Sequence, residues 1–132
     1  SKVTARLTCF LEFNLRQIAA GLGGTNSDQY HPYFEDAEQL ITPTSVQYEL
    51  YKWVSKNSGT EAALKSVTLT EQSTIIPLST SIALLAADLS IENKLSFADA
   101  IIYATSRFHQ ATLITSDNHF EGLSDVIYFK KN

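Results

Sequence analysis

The stretch that decides the fold runs from Leu95 to Phe120 and reads LSFADAIIYATSRFHQATLITSDNHF. Ser96 and Asp99 have the S-x-x-D spacing of a capping box, which marks the start of a helix. Apolar residues then recur at helical intervals, at Phe97, Ile101, Ala104 and Phe108. The pattern predicts a helix that begins near Phe97 and carries Asp99 in its first turn.

A short apolar run follows that helix. Residues 111–115, ATLIT, have the length and the β-branched content of a buried strand, and Ser116 and Asp117 come directly after it. Asp117 is therefore expected just past the carboxyl end of a strand. In a parallel α/β sheet this is the edge at which ligands bind.

Composition bounds the class of protein. The 132 residues carry 10 basic and 14 acidic side chains, a formal charge of −4 that disfavours binding of nucleic acid through charge alone. The longest apolar run, Ile82 to Ala87, is far shorter than the about 20 residues that span a bilayer. The single cysteine, Cys9, cannot form an intramolecular disulfide, and no signal-peptide pattern opens the chain. We expect one domain over residues 1–132, no membrane segment and a cytoplasmic location.

Helical and strand patterns alternate along the rest of the chain. Strands are predicted at Lys2–Leu7, near Leu40–Ile41, at Thr74–Leu78 and at Val126–Phe129. Helices are predicted after Leu7 and at Tyr33–Leu40, Thr44–Lys56, Thr60–Thr70 and Ser79–Glu92, with a loop at Asn14–Gln29. This order predicts a three-layer α/β domain with a mostly parallel central sheet.

Taken one at a time, the polar residues have ordinary structural explanations. Asp99 can serve only as a capping residue, Asp117 can cap the turn after its strand, and Glu49 can pair with Lys52 on a solvated helix face. His109 and His119 have no Cys or second His at ligand spacing, which favours surface histidines.

Three segments together resemble one family. PTSVQYELYKW, LSFADAIIYAT and ATLITSDNHF, in this order, are similar to the central and C-terminal parts of a PIN domain of the VapC toxin type, over roughly residues 35–129. The resemblance implies a parallel sheet flanked by helices and a Mg²⁺- or Mn²⁺-dependent endoribonuclease neutralised by an antitoxin protein. It places Glu49, Asp99 and Asp117 at the acidic metal-binding and catalytic positions.

The implied chemistry suits these residues. Carboxylates are hard oxygen ligands, and Mg²⁺ held by them can activate water and neutralise charge on a phosphodiester. Two carboxylates about 4 Å apart repel by about 4 kcal/mol at an effective dielectric near 20, so a cluster of Glu49, Asp99 and Asp117 calls for a cation among them. We expect the three to converge, with Ser116 hydrogen-bonding a ligating carboxylate.

The amino end departs from the family. The resemblance implies a further aspartate at the end of strand one, where the alignment puts Arg6. Three alternatives stay open: Glu12 or Asp28 replaces the missing acid, Arg6 fills the place of the metal and impairs the enzyme, or the segment is altered in its reading frame. If strand one ends near Leu7, Arg6 is expected at the same sheet edge as Asp117, and Arg6→Asp is expected to tighten Mg²⁺ binding.

Two other function classes follow. One is a catalytically impaired PIN domain that binds RNA or a partner protein, with Arg6 as the distinguishing feature. The other is a doubly wound α/β domain with a phospho-acceptor or small-ligand site, which the lack of any aspartate before Asp28 disfavours.

Assembly is suggested by aromatic residues. Tyr48, Tyr51 and Trp53 exceed what one inner helix face needs, so we expect a homodimer or a bound antitoxin helix at this region.

Overall fold

The structure is a computed structural model that describes the backbone of residues 6–8, and residues 40–115, 117–128 and 130. The predictions for Glu12, Ser116, the loop at 14–29 and the helix near 33–40 lie outside the described residues, as does the side chain of Arg6.

The described strands form one parallel sheet in the order β3-β2-β1-β4-β5. The strands are β1 (Arg6–Thr8), β2 (Leu40–Pro43), β3 (Thr74–Ile76), β4 (Thr112–Thr115) and β5 (Val126–Tyr128). The chain moves outward from β1 through β2 to β3, and then returns to the other side of β1 for β4 and β5. The strand order therefore reverses between β1 and β4, and the carboxyl ends of these two strands border the crevice where α/β sheets bind ligands.

Four α-helices connect these strands within the described residues. They are α1 (Thr44–Ser58), α2 (Thr60–Thr70), α3 (Thr80–Asn93) and α4 (Phe97–Phe108). Helix α1 packs against α2, and α3 packs against α4. The connection from β2 to β3, which contains α1 and α2, crosses the sheet in one direction, and the connection from β3 to β4, which contains α3 and α4, crosses it in the other. Because both connections are expected to be right-handed, the two helix pairs lie on opposite faces of the sheet. The predicted α/β class with a parallel sheet is confirmed. None of the described helices has the length and apolar character needed to cross a membrane.

Serine side chains begin both helices of the second pair. The Ser79 hydroxyl accepts a hydrogen bond from the Ile82 backbone N–H, and the Ser96 hydroxyl accepts one from the Asp99 backbone N–H, each at 3.2 Å. These bonds satisfy backbone donors that the first turn of a helix leaves unpaired. The predicted start of α4 at Phe97 is confirmed.

The main core lies between the sheet and the pair α3–α4. Leu113 of β4 is fully buried there, together with Ala104 and Tyr103 of α4. Phe120, which follows β4, is also fully buried, and its ring centroid lies 6.2 Å from that of Tyr103. The turn after β4 is therefore anchored in the hydrophobic core. A smaller cluster between α1 and α2 contains Leu50, Val54 and Ala63, with Trp53 partly buried against it.

Two apolar segments are more exposed than their residues suggest. The apolar run at Thr74–Leu78 predicts a buried strand, and this prediction is wrong, because β3 is an edge strand with its residues exposed or half-buried. Phe97 and Phe108, which recur at helical spacing in α4, are 78% and 48% exposed. They occupy the first and last positions of the helix, where little of the sheet or of α3 covers them.

Thr44 and Gln47 have the T-x-x-Q spacing of a capping box, but no such box forms. Pro43 occupies the N-cap position of α1 without a side-chain cap bond. The Gln47 amide instead donates to the Thr70 hydroxyl and to the Glu71 carboxylate, both at 3.0 Å. A tertiary contact between the start of α1 and the end of α2 has taken the side chain that the sequence pattern assigned to the cap.

Candidate metal centre

Two aspartates reach the same edge of the sheet from different elements. Strand β4 ends at Thr115, and Asp117 stands just beyond its carboxyl end. Helix α4 ends only a few residues before β4 begins, so it returns along the sheet with its first turn beside the carboxyl end of β4. Asp99 lies in that first turn. Chain connectivity alone thus brings both carboxylates to the switch point of the sheet.

Local hydrogen bonds set the position of Asp117. Its backbone N–H donates to the Thr115 hydroxyl at 3.0 Å. Its carboxylate oxygen Oδ1 accepts the His119 backbone N–H at 2.9 Å and so caps the short 3-10 helix Asn118–Phe120. The buried Phe120 ring at the end of this turn fixes it to the core. Asp117 therefore serves as the turn cap that its sequence position allows, with its second oxygen left for other contacts.

His119 joins the two carboxylates. Its ring nitrogen Nδ1 lies 2.9 Å from Oδ1 of Asp117 and 3.5 Å from Oδ2 of Asp99. One ligand atom from each of these three residues can be chosen so that all lie within 4.8 Å of one another. The Asp99 and Asp117 side chains are only 15% and 20% exposed, whereas that of His119 is 69% exposed. The cluster is a shallow site with two largely buried acids and an imidazole toward solvent.

His119 is the residue that sequence reasoning missed. Its exposure agrees with the expected surface histidine, but its ring contacts both acids. The available signal was the D-x-H spacing after a strand, because an aspartate that accepts a hydrogen bond from the backbone N–H two residues on keeps that residue beside its carboxylate. The buried Phe at the next position is what closes the turn in this orientation.

Glu49 stands apart from this group. It is half-buried on α1, a helix that contacts α4, but the cluster of possible ligands found among the described residues contains Asp99, Asp117 and His119 without it. Ser45, one turn earlier on the same face of α1, has a buried hydroxyl oxygen without a hydrogen-bond partner in the described part of the chain. The role of Glu49 as a metal ligand stays a prediction.

The backbone register gives the position of Arg6 in the sheet. Strand β1 is described from Arg6 to Thr8, and Arg6 pairs with Leu40 of β2 and with Thr112 of β4. Thr112 is the first residue of β4, about 10 Å before Thr115 at the usual strand rise. The Arg6 backbone is therefore paired three residues before the last residue of β4. The predicted contact of its side chain with the acids stays a prediction.

Comparison with known protein families identifies the chain. Residues 18–126 match the family model described as PIN domain. The chain belongs to the PIN domain family. A comparison with curated proteins finds no match.

Solved structures share the PIN fold. The chain is 23% identical to a chain of a toxin–antitoxin complex from Klebsiella pneumoniae, with a TM-score of 0.78 over 95% of this chain and 98% of that one. It is 15% identical to VapC20 of Mycobacterium tuberculosis, described as a sarcin-ricin loop cleaving toxin, with a TM-score of 0.67 over 91% and 95% of the two chains. It is 19% identical to a chain of VapBC2 from Rickettsia felis bound to a promoter DNA fragment, with a TM-score of 0.66 over 89% and 96%. At these identities the likeness concerns the fold.

The donor set of this PIN domain fits a divalent cation. Two cis ligands of an octahedral ion lie about 3 Å apart when each is about 2.1 Å from the ion. The separations from His119 Nδ1 to the two carboxylates, 2.9 and 3.5 Å, are of this size. Carboxylate oxygens are the ligands that Mg²⁺ and Mn²⁺ use in proteins. One ligand atom each of Asp99, Asp117 and His119 lies within 4.8 Å of the others, a spacing compatible with a single ion.

Proposed function

We propose that this PIN domain is a metal-dependent endoribonuclease and the toxin half of a toxin–antitoxin pair. The observation that carries the proposal is the convergence of Asp99 and Asp117, from α4 and from the end of β4, at the switch point of the parallel sheet. Family membership and the shared fold with toxin–antitoxin proteins support the same reading.

Asp99 and Asp117 would hold Mg²⁺ or Mn²⁺, and Glu49 on the neighbouring helix is proposed as a third acidic ligand. Such an ion, when bound, activates a water and neutralises charge that develops on the scissile phosphate. The protein residues orient the site. The Ser96 cap fixes the first turn of α4 that carries Asp99, and the Asn118–Phe120 turn fixes Asp117. The exposed His119 marks the solvent side of the cluster, from which we propose that the RNA strand approaches.

The alternative is an impaired domain that only binds RNA or a protein. That alternative depended on Arg6 at the carboxyl edge beside the acids. In β1 the Arg6 backbone pairs with Thr112, the first residue of β4, and this pairing supports the active enzyme over the impaired domain.

RNA cleavage with a matched pair of variants tests the proposal. Single-stranded RNA labelled at one end is incubated with the protein in Mg²⁺, in Mn²⁺ or in EDTA. We expect cleavage in either metal, none in EDTA, and a loss of about 100-fold or more in Asp99→Asn, since even residues that only support a metal ligand are worth about 10- to 100-fold. Asp88→Asn, an exposed aspartate on α3, is the control and should cleave like the unchanged protein. Equal cleavage by Asp99→Asn, or cleavage that persists in EDTA, would refute the proposal.

We also propose an antitoxin partner, a homodimer and a cytoplasmic location. Tyr48 and Tyr51 on α1 are 59% and 37% exposed, which supports a partner at this surface, whereas Trp53 packs within the subunit. The single cysteine suits a reducing compartment. Light scattering after size-exclusion chromatography tests the proposed dimer. If the unchanged protein and Tyr48→Ser are both monomeric at high concentration, the dimer is ruled out.

A further inference from the structure

The imidazole of His119 makes this cluster different from a site built of carboxylates alone. We propose that Nδ1 of His119 is a direct ligand of the divalent ion, and that this nitrogen makes the site select Mn²⁺ and Co²⁺ over Mg²⁺. The inference rests on the proposed function, because it needs an ion between Asp99 and Asp117. It goes further by assigning a ligand and a metal preference to the site.

The geometry supports a ligand role for Nδ1. This atom lies 2.9 Å from Asp117 Oδ1 and 3.5 Å from Asp99 Oδ2. Both values match cis ligands around one ion, which are about 3 Å apart. The three side chains are thus already close together without an ion.

The backbone holds the ring in this position. His119 donates its own backbone N–H to Asp117 Oδ1 at 2.9 Å, so the two residues are tied by main chain as well as by side chain. The next residue, Phe120, is fully buried and prevents the turn from rotating outward. The 69% exposure of the His119 side chain leaves a metal and its remaining water ligands room on the solvent side.

The chemistry of nitrogen ligands gives the preference. Mg²⁺ is a hard ion that takes oxygen ligands and retains water, and it gains little from an imidazole. First-row transition ions bind imidazole well, and their affinity for a given site rises from Mn²⁺ to Co²⁺. A site with one imidazole and two carboxylates should therefore bind Mn²⁺ more tightly than Mg²⁺, and Co²⁺ more tightly still.

The test compares His119→Asn with His109→Asn in the full chain. Asparagine carries an oxygen at the position that Nδ1 occupies in histidine, so His119→Asn exchanges a nitrogen ligand for an oxygen. His109 is exposed at the other end of α4, about 15 Å along the helix from Asp99, and serves as the matched control. Calorimetry measures the Mg²⁺, Mn²⁺ and Co²⁺ affinities of each protein, and pulsed electron paramagnetic resonance of bound Mn²⁺ detects a directly coordinated ¹⁴N.

We expect a ¹⁴N signal on bound Mn²⁺ in the unchanged protein and in His109→Asn, and none in His119→Asn. The ratio of Mn²⁺ to Mg²⁺ affinity should fall about tenfold in His119→Asn, the size of effect that changes around a metal site produce. Mn²⁺ bound without a nitrogen signal, or an unchanged affinity ratio, overturns this inference and leaves the proposed function standing. Failure of the unchanged protein to bind any of the three ions overturns both.

Discussion

Truncation of Phe120 should destabilise the protein and loosen the metal centre together. The side chain is fully buried beside Tyr103 and ends the turn that carries Asp117 and His119. A buried phenylalanine removes about 150–250 Å² from water, or about 4–6 kcal/mol at 25 cal/mol per Å². Since alanine retains part of that area and leaves a cavity, we expect Phe120→Ala to lower the free energy of unfolding by about 3–5 kcal/mol.

Urea unfolding measures this loss. With a slope of about 2 kcal/mol per M, the midpoint should fall by about 1.5–2.5 M. Phe97→Ala removes the same side chain from a position that is 78% exposed and should change the free energy of unfolding by less than about 0.5 kcal/mol. Phe120→Leu, which keeps most of the volume, should remain folded and bind Mn²⁺ more weakly than the unchanged protein. Equal midpoints for the two alanine variants would refute the claim that Phe120 anchors the turn.

Three further predictions concern the supports of the site. Ser96→Ala and Ser79→Ala should each lower the free energy of unfolding by about 1 kcal/mol through loss of an N-cap, measured by urea unfolding. Only Ser96→Ala should also weaken Mn²⁺ binding in calorimetry, because its helix carries Asp99 in the first turn; equal Mn²⁺ affinity in both variants would show that the cap does not support the metal site. Arg6→Asp should bind Mg²⁺ with an affinity within about twofold of the unchanged protein, because the strand rise puts the Arg6 backbone about 10 Å from the carboxyl edge of the sheet. A clear gain in Mg²⁺ affinity in calorimetry would show that the Arg6 side chain reaches the acids. Glu49→Gln should reduce the RNA cleavage rate less than Asp99→Asn does, since Glu49 lies outside the tight ligand group, and an equal loss would place it among the direct ligands.

The sequence by itself determined the elements that follow from local rules. The spacing of Ser96 and Asp99 located the start of α4, because a capping side chain acts within one helical turn. The apolar run before Asp117 located β4, and strand–helix alternation implied the parallel sheet. In a parallel sheet, a residue just after a strand and a residue in the first turn of the preceding helix lie at the same edge. The proximity of Asp117 and Asp99 could therefore be predicted from the sequence.

Only the tertiary structure decided which side chains meet there and which strands are covered. His119 enters the cluster because a buried Phe120 closes the turn, and burial is a property of the packed core that no spacing reveals. The pairing of Arg6 with Thr112 depends on how far two strands slide past each other, and hydrophobic alternation constrains that register only through the face each residue occupies. Strand β3 is half-exposed because it lies at an edge, which is set by strand order across the whole sheet and not by its own apolar residues.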